Sequence, residues 1–243
     1  QQQERQIHSY MSQRVNVLEF QLSNFIQQHQ SAIISAAQVL SSEVSNSDFD
    51  NAAVTNLRVL ASHNPEFLTF LIADDKGDLT HAYPPSLLDK ARQSGLSNVA
   101  YRPYFFEVMQ TGKPFLSNVF QGRGFGNDPI VALSAPITDA DGTPKGMVEG
   151  SLSLKSFSAI DNLSLGGFLM LIEDQKGEVI YASKGLKMKP LTKAPFYICE
   201  PDCAVEVENG PQGKTWLRLA KDMPFASWKV SYYFDKRLLM ASM

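Results

Sequence analysis

The sequence predicts an α+β fold in which one long N-terminal helix is followed by two tandem antiparallel-sheet modules. Three observations indicate this fold: a helical apolar periodicity over roughly the first forty residues, a hairpin sequence that recurs 100 residues later, and similar strand pairs that close each half. Each half is expected to form a sheet of about five strands with helices on its faces.

The first element is predicted as a helix because apolar residues recur at steps of three and four, with no Pro among them. At 1.5 Å per residue this helix is about 60 Å long, which is about twice the diameter of a small domain. Its other face is rich in Gln and poor in charge, so one helix lying along the sheets and a parallel homodimer seam both stay open. The stripe comprises Ile7, Met11, Val15, Leu18, Leu22, Phe25, His29, Ile33, Ala36, Leu40 and Val44, and the Gln positions are 13, 21, 27, 28 and 30.

A hairpin is predicted where strand-forming residues run into an Asp- and Gly-rich turn, at 70–82 and again at 170–182. Six of the thirteen aligned positions are identical. Each half also closes with two strand-like runs around a turn, at 130–154 and at 216–234. The halves are therefore interpreted as two copies of one module. Within the first copy, Arg102-Pro103 predicts an extended residue followed by a short helix.

Composition excludes several classes of function. With 44% apolar and 19% charged residues the chain is globular, and its net charge of −3 provides no general attraction to nucleic acid, so no nucleic-acid partner is expected. No apolar run reaches the roughly 20 residues of a membrane span. The chain begins with Gln1 and not with Met, which indicates a segment of a longer protein.

Enzyme signatures are missing from the sequence. The four His residues lie far apart without metal-binding spacing, so no metal and no cofactor are expected. The run from Gly122 to Asp128 lacks the Lys of a phosphate-binding loop and precedes a strand, which favours a hairpin tip. No His follows His81 to complete a hydrolase triad. No enzymatic activity is expected of this segment.

Cys199 and Cys203 are the only cysteines. Two cysteines in a Pro-containing loop suit a small disulfide in an oxidising compartment, and two unpaired thiols are the alternative. A ring this small stabilises by only about 2 kcal/mol, so it would fix a loop and not the domain.

This arrangement resembles the double Cache sensor domain, the extracytoplasmic region of bacterial transmembrane receptors. The matching segments are 102–107, 111–117, 130–136 and the turn at 141–142 that leads into 146–148. The resemblance implies PAS-like modules on the periplasmic or extracellular face of the inner membrane, which signal to a histidine kinase, a diguanylate cyclase or a chemotaxis module. The implied boundaries are 1–64 for the helix and lead-in, 65–154 for the membrane-distal module, 155–166 for a connector, 167–235 for the membrane-proximal module and 236–243 for the start of a juxtamembrane segment.

The resemblance also implies a ligand site in the first module. Arg102 matches the Arg that holds the ligand carboxylate in amino-acid-binding members, and Tyr104 and Phe105 match its aromatic neighbours. A guanidinium presents a fork of donors to a carboxylate, and adjacent rings exclude water. The alternative for Arg102 is an ion pair with Glu107 or Asp128.

Two acids of the family site are absent from their positions. The acid that receives the ligand ammonium falls on Ser151, and a second acid falls near Gln121. A small carboxylate without an amino group is therefore the expected ligand, with Ser134 and Ser151 as neutral donors. Strand alternation puts Glu149 on the same face as Ser151, so a replacement acid stays open.

The leading hypothesis is a ligand-sensing ectodomain, tethered to the membrane in the full-length protein, that binds a small organic anion and pairs through its N-terminal helix. A periplasmic solute-binding protein, a ligand-free interaction module and a periplasmic hydrolase are the alternatives. The first would show alternating βα units and a parallel sheet. The hydrolase lacks a base and a nucleophile that can be paired.

Overall fold

The computed structural model describes residues 2–123, 126–162, 167–199 and 203–242. It confirms the predicted α+β fold, with a long N-terminal helix followed by two antiparallel sheets. The chain divides into two compact units. Residues 26–153 are called the central unit below, and residues 1–25 together with 154–243 are called the terminal unit.

Helix α1 (Gln2–Glu43) contributes to both units. It ends one residue before the last position of the predicted stripe, Val44. Phe25 is half-buried and Ile26 takes the fully buried position beside it. The remaining stripe from residue 7 to residue 40 is buried as the periodicity predicted. The fully buried members include Met11, Val15, Leu18, Leu22, Ile33 and Leu40.

The central unit contains a six-stranded sheet with the order β2-β1-β6-β5-β3, in which β4 also pairs with β5. All of these pairings are antiparallel. Its elements after α1 are α2 (Phe49–His63), β1 (Phe67–Asp74), β2 (Leu79–Tyr83), α3 (Ser86–Gln93), α4 (Pro103–Thr111), β3 (Phe115–Leu116), β4 (Phe120–Gln121), β5 (Pro129–Thr138) and β6 (Pro144–Ser153).

The two faces of this sheet have different neighbours because side chains alternate along each strand. On one face, a Cβ at Gly150 would collide with the Phe67 ring and with Ile33 of α1, so glycine permits this close packing. The opposite face forms a core with α3 and α4 and carries the candidate site. The buried residues of that core include Leu71, Leu87, Tyr104, Phe105, Val108, Ala132 and Met147.

The terminal unit contains a five-stranded antiparallel sheet with the order β8-β7-β11-β10-β9. This is the order of the first sheet, strand for strand, as expected for two copies of one module. Of the predicted connector 155–166, residues 163–166 lie outside the described residues. The elements are α5 (Ser158–Asn162), β7 (Leu169–Glu173), β8 (Val179–Ala182), β9 (Ala204–Val207), β10 (Trp216–Asp222), β11 (Lys229–Asp235) and α6 (Lys236–Ala241).

The two repeated hairpins have the same turn. Oδ1 of Asp74 accepts hydrogen bonds from the backbone N–H groups of Lys76 and Asp78, and Asp174 repeats this pattern 100 residues later. Gly77 and Gly177 occupy the left-handed position of each turn, with φ of 84° and 71°. The identical Asp and Gly residues are therefore explained by turn geometry.

Among the described residues, no helix combines the length and the apolar character needed to cross a lipid bilayer.

Candidate functional site

A cavity of about 280 Å³ lies in the central unit. Strands β1, β4 and β6, the start of α4 and the segment that leads into β5 contribute to its wall. Of the seven ligand-site residues predicted from the sequence, Arg102, Tyr104 and Ser151 line it. The other described lining residues are Leu68, Thr69, Leu71, Pro84, Leu87, Phe120, Gly122, Arg123, Gly126, Asp128 and Ile130.

Arg102 precedes α4 with an extended backbone, and Pro103 occupies the first helical position as predicted. The guanidinium carbon Cζ lies 5.0 Å from the centroid of the Tyr101 ring and 5.7 Å from that of the Phe120 ring. Both distances are within the range of cation–π attraction. The rings therefore hold the guanidinium at the cavity without neutralising its charge.

Within the described part of the chain, Arg102 forms no ion pair, although Asp128 also lines the cavity. The alternative in which Glu107 or Asp128 occupies the guanidinium is therefore not realised. Asp128 and Arg123 are exposed at the cavity rim, whereas Arg102 is half-buried. Arg102 is thus the cation available to an anion inside the cavity.

Tyr104 and Phe105 point to different surroundings because neighbouring residues on a helix lie about 100° apart. The Tyr104 ring lines the cavity and stacks on Phe120 with ring centroids 5.9 Å apart. Burial, and then the nearby Glu149 carboxyl, raise the pKa of the Tyr104 hydroxyl. Phe105 packs into the core and does not line the cavity, so its expected place beside the ligand is corrected. Phe120 supplies the second ring instead.

The predicted serine donors have different roles. Ser134 on β5 is fully buried, and its hydroxyl donates a 2.7 Å hydrogen bond to the carbonyl oxygen of Tyr104. It positions α4 and does not line the cavity, which corrects its expected role as a ligand donor. Ser151 on β6 does line the cavity, and its hydroxyl donates a 2.8 Å hydrogen bond to Oε1 of Glu149.

Glu149 lies two residues before Ser151 and opposite Leu71 and Ser134 in the sheet. It is buried, and its Oε2 atom has no hydrogen-bond partner among the described residues. Burial raises the pKa of the Glu149 carboxyl to about 8, although the Ser151 hydrogen bond and the charge of Arg102 both lower it. The carboxyl is therefore mainly protonated at neutral pH. It lies behind Ser151 and outside the cavity lining.

Gln121 does not reach the cavity. It is exposed on β4, where it pairs with Pro129, so its expected place in the site is corrected. Phe120 and Arg123 line the cavity but were not predicted. Arg123 lies in the run from Gly122 to Asp128, which was interpreted only as a hairpin tip, and no local pattern marks Phe120. Residues 124 and 125 of that run lie outside the described residues.

Two further expectations concern metals and cysteines. No group of three or more His, Cys, Asp or Glu side chains that could hold a metal ion occurs in the described ranges. In the terminal unit the sulfur atoms of Cys199 and Cys203 lie within bonding distance.

The sequence model of the Cache domain family dCache_1 matches residues 1–243. A search of the curated proteins finds no match.

Solved structures with the same fold include three ligand-binding domains of chemoreceptors. That of Pseudomonas fluorescens CtaA in complex with L-isoleucine has a TM-score of 0.75 at 17% identity, covering 99% of this chain and 97% of the other. That of Campylobacter jejuni Tlp3 in complex with L-valine has a TM-score of 0.73 at 10% identity, covering 98% of this chain and 96% of the other. That of Pseudomonas aeruginosa PAO1 PctB in complex with L-Arg has a TM-score of 0.70 at 19% identity, covering 95% of both chains.

Proposed function

Because the chain belongs to the Cache domain family, as its sequence predicted, we propose that it is the extracytoplasmic ligand-sensing domain of a bacterial transmembrane signalling receptor. The central unit corresponds to the predicted membrane-distal module and binds the ligand in the cavity beside Arg102. The terminal unit corresponds to the membrane-proximal module. The receptor's output module is a histidine kinase, a diguanylate cyclase or a chemotaxis module.

The half-buried guanidinium of Arg102, which forms no ion pair with the described residues, is the observation that carries this proposal. A cation held between the rings of Tyr101 and Phe120 and facing a cavity of about 280 Å³ has the chemistry needed to anchor a small anion. Most other lining side chains are apolar, so they suit the carbon skeleton of the ligand. The fold is shared with chemoreceptor domains that bind amino acids, all of which carry a carboxylate.

The favoured ligand class is a small carboxylate without an amino group. A ligand ammonium needs an ionised acid. Asp128 lines the cavity but is exposed at its rim, and the buried Glu149 is mainly protonated at neutral pH. Ser151 presents a neutral hydroxyl to the cavity. The site therefore matches a carboxylate better than a zwitterion.

One observation favours an amino acid as the second candidate. Oε2 of Glu149 has no partner in the part of the chain that the structure describes, and a ligand ammonium close to Ser151 would lower the pKa of that carboxyl and ionise it. The choice between the two ligand classes thus depends on whether Glu149 releases its proton.

The test is a thermal-shift screen of small carboxylates, followed by calorimetry of the best binder with wild type and Arg102→Ala. Loss of the anchoring cation is expected to weaken binding by about 2 kcal/mol or more, which is about 30-fold. Arg92→Ala, an exposed change on α3 away from the cavity lining, is the matched control and is expected to bind normally. Equal affinity of Arg102→Ala and wild type would place the anchor elsewhere.

A further inference from the structure

The terminal unit has a cleft of its own, with a volume of about 490 Å³. Tyr197 and Tyr233 line it, together with Lys187, Met188 and Pro211. The described lining contains no acidic side chain. The cleft therefore combines an aromatic and apolar wall with a cation at its edge.

Polar atoms on this sheet face are buried without hydrogen bonds. Among the described residues, the hydroxyl of Tyr233, Nε of Arg218 and Oγ of Ser231 have no partner. Tyr233 is only 1% exposed, yet it lines the cleft. Burial raises the pKa of the Tyr233 hydroxyl, and the nearby Tyr197 hydroxyl raises it further. A buried hydroxyl without a partner costs stability, so its presence requires an explanation.

Arg218 lies beside the two rings that line the cleft. Its Cζ atom is 4.7 Å from the centroid of Tyr197 and 6.0 Å from that of Tyr233. Its Nη2 atom is 3.5 Å from Oε2 of Glu173, which is long for a charged hydrogen bond. Like Arg102, Arg218 lies near two aromatic rings, but it is buried, pairs with Glu173 and does not line the cleft itself.

By sheet register, these polar groups occupy positions equivalent to those that border the cavity of the central unit. Leu71 pairs with Glu149, and the equivalent Leu171 pairs with Ser231. Thr69 pairs with Ser151, and the equivalent Leu169 pairs with Tyr233. The position of Ser151 in the central unit is thus taken by Tyr233 in the terminal unit.

We propose that the terminal unit holds a second binding site, for a small carboxylate, in this cleft. The Tyr233 hydroxyl donates to the ligand carboxylate, and the Arg218 guanidinium beside the ring supplies positive charge. Tyr197 and Met188 contact the carbon skeleton of the ligand. A carboxylate is the matching class because the described lining carries the Lys187 ammonium and no acid. The Arg218 guanidinium beside the two Tyr rings adds positive charge that Glu173 offsets in part.

The chain offers a local reporter for this site. Both of its Trp residues, Trp216 and Trp228, belong to the terminal unit. The indole Nε1–H of Trp216 donates a 3.0 Å hydrogen bond to the carbonyl oxygen of Pro211, which lines the cleft. Trp228 does not line the cleft and packs edge-on against Phe157. The two indole N–H resonances therefore provide a signal and an internal control.

The experiment titrates benzoate into ¹⁵N-labelled Arg102→Ala chain, so that binding at the first cavity is removed. We expect a saturable shift of the Trp216 resonance and little shift of Trp228. Adding Tyr233→Phe should weaken benzoate binding about tenfold, because one hydrogen bond to a charged ligand is lost. The unfolding temperature should be unchanged or higher, since the hydroxyl removed has no partner among the described residues.

Tyr181→Phe is the matched control, because the Tyr181 hydroxyl donates a 2.9 Å hydrogen bond to Asp161 and does not line the cleft. It should lower stability and leave benzoate affinity unchanged. The neutral isostere benzamide should bind more weakly than benzoate, and equal binding would overturn the carboxylate class. Absence of a Trp216 shift in the millimolar range, or equal benzoate affinity with and without Tyr233→Phe, would overturn the second site. Neither result bears on the proposed function, which depends on Arg102.

Discussion

The hydroxyl of Ser151 donates a 2.8 Å hydrogen bond to Oε1 of Glu149, while Oε2 of the same buried carboxyl has no partner among the described residues. The cavity wall thus exposes a neutral hydroxyl backed by an acid that retains its proton at neutral pH. This pair places a titratable acid beside the cavity, whereas Arg102 supplies the positive charge of the site.

Stability should fall as pH rises because of Glu149. Its pKa is raised from 4.5 to about 8 on folding, so between these pH values the folded state binds a proton that the unfolded state does not. The free energy of unfolding therefore decreases from about pH 4.5 to about pH 8 and then levels off. Glu149→Gln removes this effect. The variant should match wild type near pH 5 and exceed it above pH 8 by on the order of a few kcal/mol.

Urea unfolding of both proteins at acidic and alkaline pH measures this difference. Glu107→Gln, a change at a half-exposed position of α4, is the control and should follow wild type at every pH. If stability falls equally between acidic and alkaline pH in wild type and in Glu149→Gln, then Glu149 ionises as an ordinary carboxyl.

Much of the fold could be predicted because its signals are local and periodic. The stripe that includes Met11, Val15 and Leu18 requires a helix, and the Asp74 and Asp174 turns identify two copies of one hairpin. The strands β3 and β4 were not predicted, since each has only two residues and no period can be read from them.

The candidate site was predicted less completely because a motif gives the order of residues along the chain and not the direction in which each side chain points. Arg102 and Tyr104 lie at the cavity, but the helical twist turns Phe105 into the core. Phe120 comes from a strand that only tertiary pairing with β5 places beside Tyr104. No local pattern in the sequence indicates that contact.

Substitution of Phe120 should therefore change ligand affinity, and substitution of Phe105 should change stability. Phe120→Leu removes the ring beside Arg102 and should weaken carboxylate binding by about 1 kcal/mol, or about fivefold, with a small change in unfolding temperature. Phe105→Leu should instead lower stability by about 1 kcal/mol and leave affinity unchanged. Calorimetry and thermal unfolding of the two variants distinguish these effects. If Phe105→Leu is the variant that loses affinity, the assignment of the two rings is reversed.

Cys199 and Cys203 should be oxidised in protein folded under oxidising conditions. Thiol titration in denaturant is then expected to find no free thiol before reduction and two afterwards. Replacing both by Ser should lower the free energy of unfolding by at most about 2 kcal/mol, because the closed loop is short. Two reactive thiols in the unreduced protein would exclude the disulfide.

The N-terminal helix should form a parallel homodimer seam in the full receptor. Gln13, Val17, Phe20 and Gln27 are exposed on the side of α1 opposite its buried stripe, and Phe20 is 64% exposed. Cys substituted at Gln13 or Gln27 is expected to crosslink to its copy under mild oxidation. Gln21, which is half-buried on the flank of the helix, is the control position and should crosslink much less. Equal or absent crosslinking at the three positions would rule out this seam.

The ligand class should be decided by a carboxylate and an amino acid with the same carbon skeleton, 3-methylbutanoate and L-valine. At neutral pH the carboxylate should bind more tightly, because Arg102 holds either carboxyl group while the ammonium of L-valine meets neutral Ser151 and protonated Glu149. Calorimetry at pH 7 and at pH 8.5 should show that the difference in affinity between the two ligands becomes smaller at the higher pH. The reason is that Glu149, with a pKa of about 8, becomes ionised over this interval. Glu149→Gln should abolish that narrowing and leave 3-methylbutanoate binding unchanged. Tighter binding of L-valine at pH 7, lost in Glu149→Gln, would show instead that Glu149 gives up its proton to receive the ammonium, and the ligand class would then be amino acids.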